Sequence, residues 1–140
     1  MSFRDMSEIV RRQKPVALPP TATVQEACSA MHARRIGAIL VTDEQDRLVG
    51  IFTGRDAVRV LAETVDPRKL PLRDAMTRNP ETMRPNNTAI DALRLMQDGG
   101  FRHLPVVTKE GELRGVVSRY DFRGLEQDRL DEETGFWERL

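Results

Sequence analysis

The sequence predicts an α+β fold built from two tandem β-α-β-β-α repeats, and three features predict it. The first is internal duplication. LVGIFTGRD (Leu48–Asp56) and LRGVVSRYD (Leu113–Asp121) stand 65 positions apart, and the same offset pairs Gly50 with Gly115, Val41 with Val106, Met31 with Met96, Ala27 with Ala92, Thr23 with Thr88 and Pro15 with Pro80. No gap interrupts the series. The second feature is a helical stripe in each copy. Val24, Ala27, Cys28 and Met31, and likewise Ala89, Ala92, Leu93 and Met96, follow the i, i+3, i+4, i+7 spacing of one buried face. The third is a pair of short runs rich in Val and Ile after each stripe, bounded by turn residues as strands are.

The elements follow in order. Each copy opens with a proline-bounded extended segment, PVALPP or PETMRP, because proline fixes its own φ and steers the preceding residue away from helix. Thr23 with Glu26, and Thr88 with Asp91, then have the spacing of a capping box. Asp98-Gly99-Gly100 ends the second helix at glycine; the first copy carries Arg34-Arg35 there and must close differently. Strands are expected over 37–42 and 48–53 around the turn DEQD, and over 103–108 and 113–118 around the turn KEG. A further helix is expected from Arg55 or Asp56 (AVRVLAE) and from Asp121 (FRGLEQ). Between copies, VDPRKLPLRDAMTRN reads as a proline-broken connector with one helical turn at LRDAM. Two copies are too few for a solenoid. The repeats are therefore expected to pack through their sheets about a pseudo-twofold axis. That makes 1–125 a domain pair (repeat one about 7–64, repeat two about 72–125), followed by a tail, 126–140, which carries the lone tryptophan, Trp137.

Composition narrows the function. The chain has 140 residues, a single cysteine, and 22 Lys plus Arg against 22 Asp plus Glu. A lone cysteine allows no internal disulfide, which fits a reducing compartment. No apolar run approaches the ~20 residues of a membrane helix, so a cytoplasmic protein with no membrane partner is expected. The balanced charge lacks the basic excess of nucleic-acid binders. Two histidines and one cysteine, far apart, offer no metal spacing, and no nucleophile–base–acid set can be assembled. The chain is therefore expected not to be an enzyme and to carry no metal and no catalytic cofactor. His32 is read as a solvated helix residue, Cys28 as an inert core thiol, and His103 either as a packed imidazole or as a ligand contact.

The two endings Thr53-Gly54-Arg55-Asp56 and Ser118-Arg119-Tyr120-Asp121 can be read in two ways. A hydroxyl and an acid three residues on make a helix start, where the acid suits the helix dipole. The same parts also suit a nucleotide. Helix N–H groups attract phosphate, Arg55 and Arg119 match its oxygens, and an aspartate accepts from the vicinal hydroxyls of a ribose.

The stretches IGAILVTDEQDRLVGIFTGRD and FRHLPVVTKEGELRGVVSRYD, with the connector MTRNPETMRP, resemble a pair of CBS domains, the tandem called a Bateman module. The resemblance covers about residues 7–125. It implies a regulatory, signal-transduction module that binds an adenosine derivative (AMP, ADP, ATP, NAD or S-adenosylmethionine) in a cleft between the repeats. It places the ribose-binding acids at Asp56 and Asp121 and the hydroxyls near phosphate at Thr53 and Ser118. Adenine contacts would come from the segments after the leading prolines, Val16, Ala17 and Leu18 and then Glu81, Thr82 and Met83. Others would come from the helix-to-strand junctions, Ile36, Gly37 and Ala38 and then Arg102, His103 and Leu104. It also implies a homodimer and a downstream protein of unknown identity. The alternative is a ligand-free dimerisation or interaction module with vestigial clefts. In the second copy Tyr120 stands before the acid and the arginine moves back to Arg119, so the two sites are not identical.

Overall fold

A computed structural model describes residues 4–122. It is a mixed α/β structure whose elements run in the expected repeat order. These are α1 (Met6–Val10), β1 (Ala17–Leu18), α2 (Val24–Arg34), β2 (Ala38–Thr42), β3 (Leu48–Thr53), α3 (Gly54–Ala62), β4 (Thr77–Arg78), α4 (Ala89–Gly99), β5 (His103–Val107) and β6 (Leu113–Ser118). Single 3-10 turns lie at Leu72–Asp74 and Arg119–Asp121. The expected helix FRGLEQ, beyond Phe122, and the tail 126–140 lie outside the described residues.

The chain divides into two compact units. One comprises Lys14–Pro80 with Lys109–Leu113; the other comprises the N-terminal residues through Gln13, Glu81–Thr108 and the residues from Arg114 on.

In the first unit the sheet order is β1-β2-β3-β4. β1 runs parallel to β2, with Leu18 opposite Val41. β2 and β3 form an antiparallel pair, with Ala38 opposite Thr53 and a register shift between Val41 and Thr42. β4 adds antiparallel to β3, placing Thr77 opposite Ile51. The helix α2 forms where the capping box predicts it. The Thr23 Oγ accepts the Glu26 N–H at 3.1 Å, and the Glu26 carboxylate accepts the Thr23 N–H at 3.2 Å. Its stripe supplies Val24, Ala27 and Met31 to a core with Ile39, Phe52 and Val60, while Cys28 is only half-buried. Lacking a glycine, α2 closes on Arg35, held at φ 54° in the left-handed region, so that the Ile36 N–H reaches the Met31 carbonyl at 3.1 Å.

The second unit repeats the plan with a shorter opening. α4 carries the same box, Thr88 with Asp91, and ends on Gly100 at φ 71°. Met83 bridges Val106 in parallel, the counterpart of Leu18 beside Val41, although only β5 and β6 extend as strands. Met6 and Val10 of α1 are buried among Leu93, Met96, Leu104, Val106 and Val117. Backbone bonds hold α1 there: the Met6 N–H donates to the Asn87 carbonyl and the Ser7 N–H to that of Pro85, both at 2.8 Å.

The duplicated glycines explain how each unit is finished. A Cβ on Gly115 would stand 2.6 Å from the Val10 Cβ, and one on Gly50 would stand 2.5 Å from the Met76 sulfur. At β6 the Gln13 side-chain oxygen then accepts the Val116 N–H at 2.9 Å. At β3 the edge is covered by β4. Each unit thus takes its last element from the stretch that leads into the other repeat. Gly115→Ala is expected to lose about 1–3 kcal/mol of stability by overpacking against α1. Gly54→Ala, whose methyl meets nothing within 4 Å, is expected to stay within about 0.5 kcal/mol. Urea denaturation of the two variants beside the parent chain measures both.

Candidate functional site

Both S/T-x-x-D endings fold into the same strand-to-helix turn. Thr53 ends β3 at φ −117°, ψ 172°, and Ser118 ends β6 at φ −122°, ψ 172°. In each, the aspartate bends back onto the residue that ends the strand. The Thr53 N–H donates to Asp56 Oδ2 at 3.0 Å and the Ser118 N–H to Asp121 Oδ2 at 2.7 Å. Both hydroxyls also lie 3.3 Å from the same carboxylate oxygen. The helix-start reading of these motifs is therefore realised in both copies.

The surroundings of the two acids differ. Asp56 is 8% exposed. Its other oxygen, Oδ1, accepts from Arg59 Nη2 at 3.4 Å and from the Thr77 hydroxyl at 3.3 Å. Arg59 is itself anchored by donation to the Ala75 carbonyl. Asp121 is half-buried, and no donor among the described residues reaches its Oδ1. Instead Arg4 comes to its backbone, donating from Nη2 to the Asp121 carbonyl at 3.0 Å.

The remaining predicted residues are distributed over the two units. In the first unit the Gly54 N–H donates to the Gly37 carbonyl at 3.3 Å, bringing the α2–β2 junction to the start of α3. Ile36, Gly37 and Arg55 are exposed there and Ala38 is buried. Val16 accepts the Leu40 N–H through its carbonyl, with Ala17 exposed and Leu18 half-buried on β1. In the second unit Met83 and Leu104 are buried, Thr82 and His103 half-buried, and Arg102 and Arg119 exposed. Met83 is held beside β5 by two backbone bonds of 2.9 Å, to Pro105 and Val107.

Burial pushes the His103 imidazole below its ordinary pKa; Arg102 pushes the same way, and Asp121 pulls back. Burial also raises the Cys28 thiol, as suits an unreactive cysteine. His32 is exposed. Among the described residues no group of His, Cys, Asp and Glu could hold a metal, and no helix is long and apolar enough to cross a membrane.

Three residues at these turns escape sequence reasoning. Arg59 carries a local signal, since it lies one helical turn beyond Asp56. Thr77 arrives by strand pairing, and Arg4 lies 117 positions from Asp121, so neither carries one.

Comparison with known proteins places these features in a family. The CBS domain model matches residues 6–63 and 72–127. The CBS domain-containing protein CBSCBSPB1 of Arabidopsis thaliana is 40% identical over 109 residues, which is 77% of this chain and 20% of that protein. The chain thus spans about a fifth of the length of the Arabidopsis relatives it matches. Among solved structures, the CBS domain protein PAE2072 from Pyrobaculum aerophilum, complexed with AMP, superposes with a TM-score of 0.82 at 30% identity, over 91% of this chain and 98% of that one. The CBS-domain containing protein ATU1752 from Agrobacterium tumefaciens gives 0.73 at 33% identity, over 84% and 94%.

The depressed pKa of His103 makes a stability prediction. The unfolded imidazole binds a proton near pH ~6.5, before the folded one does, so the stabilisation is fully present above that pH and lost as pH falls through the folded value. Denaturation between pH 8 and pH 5 is expected to show a steeper loss for the parent chain than for His103→Gln.

Proposed function

This chain belongs to the CBS domain family, and from that premise we propose that it is a regulatory module that binds an adenosine-containing ligand and performs no chemistry on it. The observation that carries the reading is the duplicated turn, which sets a carboxylate and a hydroxyl side by side at the end of β3 and again at the end of β6. A carboxylate there suits the two adjacent hydroxyls of a ribose, accepting from both. Thr53 with Arg55, and Ser118 with Arg119, are assigned to the phosphate. The backbone of Val16–Leu18 and Ile36–Ala38, and that of Thr82–Met83 and Arg102–Leu104, is assigned to the adenine. The AMP complex of the Pyrobaculum protein supports AMP as the first ligand to try; ADP, ATP, NAD and S-adenosylmethionine share the adenosyl group.

Binding regulates only where the ligand has different affinities for two arrangements of the module. The output then passes to a second copy or to another protein. A homodimer is supported by Val58 and Leu61, which lie three residues apart on α3 and are 66% and 69% exposed. The second reading, an interaction module without ligand, is favoured by one observation: both oxygens of Asp56 already have internal donors.

A thermal-shift and denaturation panel with the five adenosyl compounds separates the readings. A true ligand at 100 times its Kd adds about 2.7 kcal/mol, and Asp56→Ala and Asp121→Ala, made singly, show on which acid that gain depends. No stabilisation by any of the five favours the interaction module. Light scattering is expected to give twice the chain mass, and Leu61→Glu to give one chain.

A further inference from the structure

Resting on the adenosyl-binding reading, we propose that the two carboxylates are not equivalent: Asp121 takes the ribose, while Arg59 and Thr77 latch Asp56 and close its site. A carboxylate offers about four acceptor directions. At Asp56 four donors point at them: the Thr53 N–H and hydroxyl on Oδ2, and Arg59 and the Thr77 hydroxyl on Oδ1. At Asp121 the Ser118 N–H and hydroxyl occupy Oδ2, and Oδ1 has no donor among the described residues. A ribose diol arriving at Asp56 must displace a threonine and a guanidinium from an acid that is 8% exposed. At Asp121 it displaces no described residue from Oδ1.

The sequence explains why the latch has no counterpart among the described residues of the other half. The 65-residue offset that relates the copies carries Arg59 onto Gly124, which has no side-chain donor. It carries Arg12 onto Thr77 and Gln13 onto Arg78. Where β4 lays Thr77 beside β3, the other unit brings the Gln13 side chain to the Val116 N–H, and Arg12 is exposed. The segment that finishes the first unit thus supplies a hydroxyl to its acid. The segment that finishes the second supplies its polar group to a strand N–H. Arg59 and Thr77 are positioning residues: they act on the ligand through Asp56. The same Nη2 that reaches Oδ1 also donates to the Ala75 carbonyl, which anchors the guanidinium beside Asp56.

Isothermal titration with AMP reads the stoichiometry directly. The parent chain is expected to bind one AMP per chain, and Asp121→Asn to weaken binding at least about tenfold, as loss of a charge-assisted bond does. Removing the latch with Arg59→Gln and Thr77→Val together is expected to raise the stoichiometry to two, with Asp121→Asn on that background returning it to one. A ribose site at Asp56 that binds in the parent chain, seen as two AMP per chain or as one AMP that survives Asp121→Asn, overturns the latch and leaves the adenosyl-binding reading standing. A stoichiometry of one after the latch is removed, in a variant with parental circular dichroism, also overturns it. Absence of binding to AMP and to the four other adenosyl compounds sinks both.

Discussion

A carboxylate folded back onto the N–H of the residue that ends a strand is the constraint on which both halves of this molecule turn. It fixes the angle at which β3 gives way to α3 and β6 to its 3-10 turn, and the near-identical dihedrals of Thr53 and Ser118 show how closely the two turns agree. An acid is well suited to this place, because the first N–H groups of a helix have no partner within it and carry the positive end of its dipole. The bond also sets a hydroxyl against the same oxygen. Groups that build the turn are therefore the groups a nucleotide would use. Cap and site are two uses of one arrangement, and the neighbours of the acid decide between them.

Two of those neighbours, Thr77 and Arg4, come from far along the chain. Asp56 is surrounded by donors because β4 pairs with β3 and because α3 turns Arg59 toward it. Asp121 has its backbone carbonyl engaged by Arg4, while its Oδ1 has no donor among the described residues. Duplication copied the turn but not its setting, because the segments that flank each copy diverged. Once Thr77 and Arg12 held corresponding positions, the two acids had different chemistry available to them. A pair of sites can in this way drift apart while every residue of the shared motif stays in place.

What the sequence made legible was whatever a short window can hold. The stripes of α2 and α4, their capping boxes and the ends of β3 and β6 follow from spacing within a dozen residues or so. Duplication then doubled each signal. The left-handed closure at Arg35 was visible only as a missing glycine. α1, at five residues, is too short to show a period and owes its helix to burial of Met6 and Val10. β4 has two residues and no pattern of its own. For the site, the acids and hydroxyls could be read from the motif. Thr77 and Arg4 could not, since each arrives from a distance that local chemistry does not encode.

The borrowing of end segments has a consequence for how the molecule is made. Met6 and Val10 leave the ribosome about a hundred residues before the strand they pack against, with Gly115 and Val117, which is among the last of the described elements to be synthesised. Until then an amphipathic N-terminal turn waits without its groove, while the first repeat cannot cover the edge of β3 before Thr77 emerges. Closure of each half is thus a long-range event in a small chain, the kind that slows folding and leaves apolar surface open to chaperones in the meantime. A nascent chain halted between the repeats would hold two incomplete halves rather than one finished domain and one unstarted.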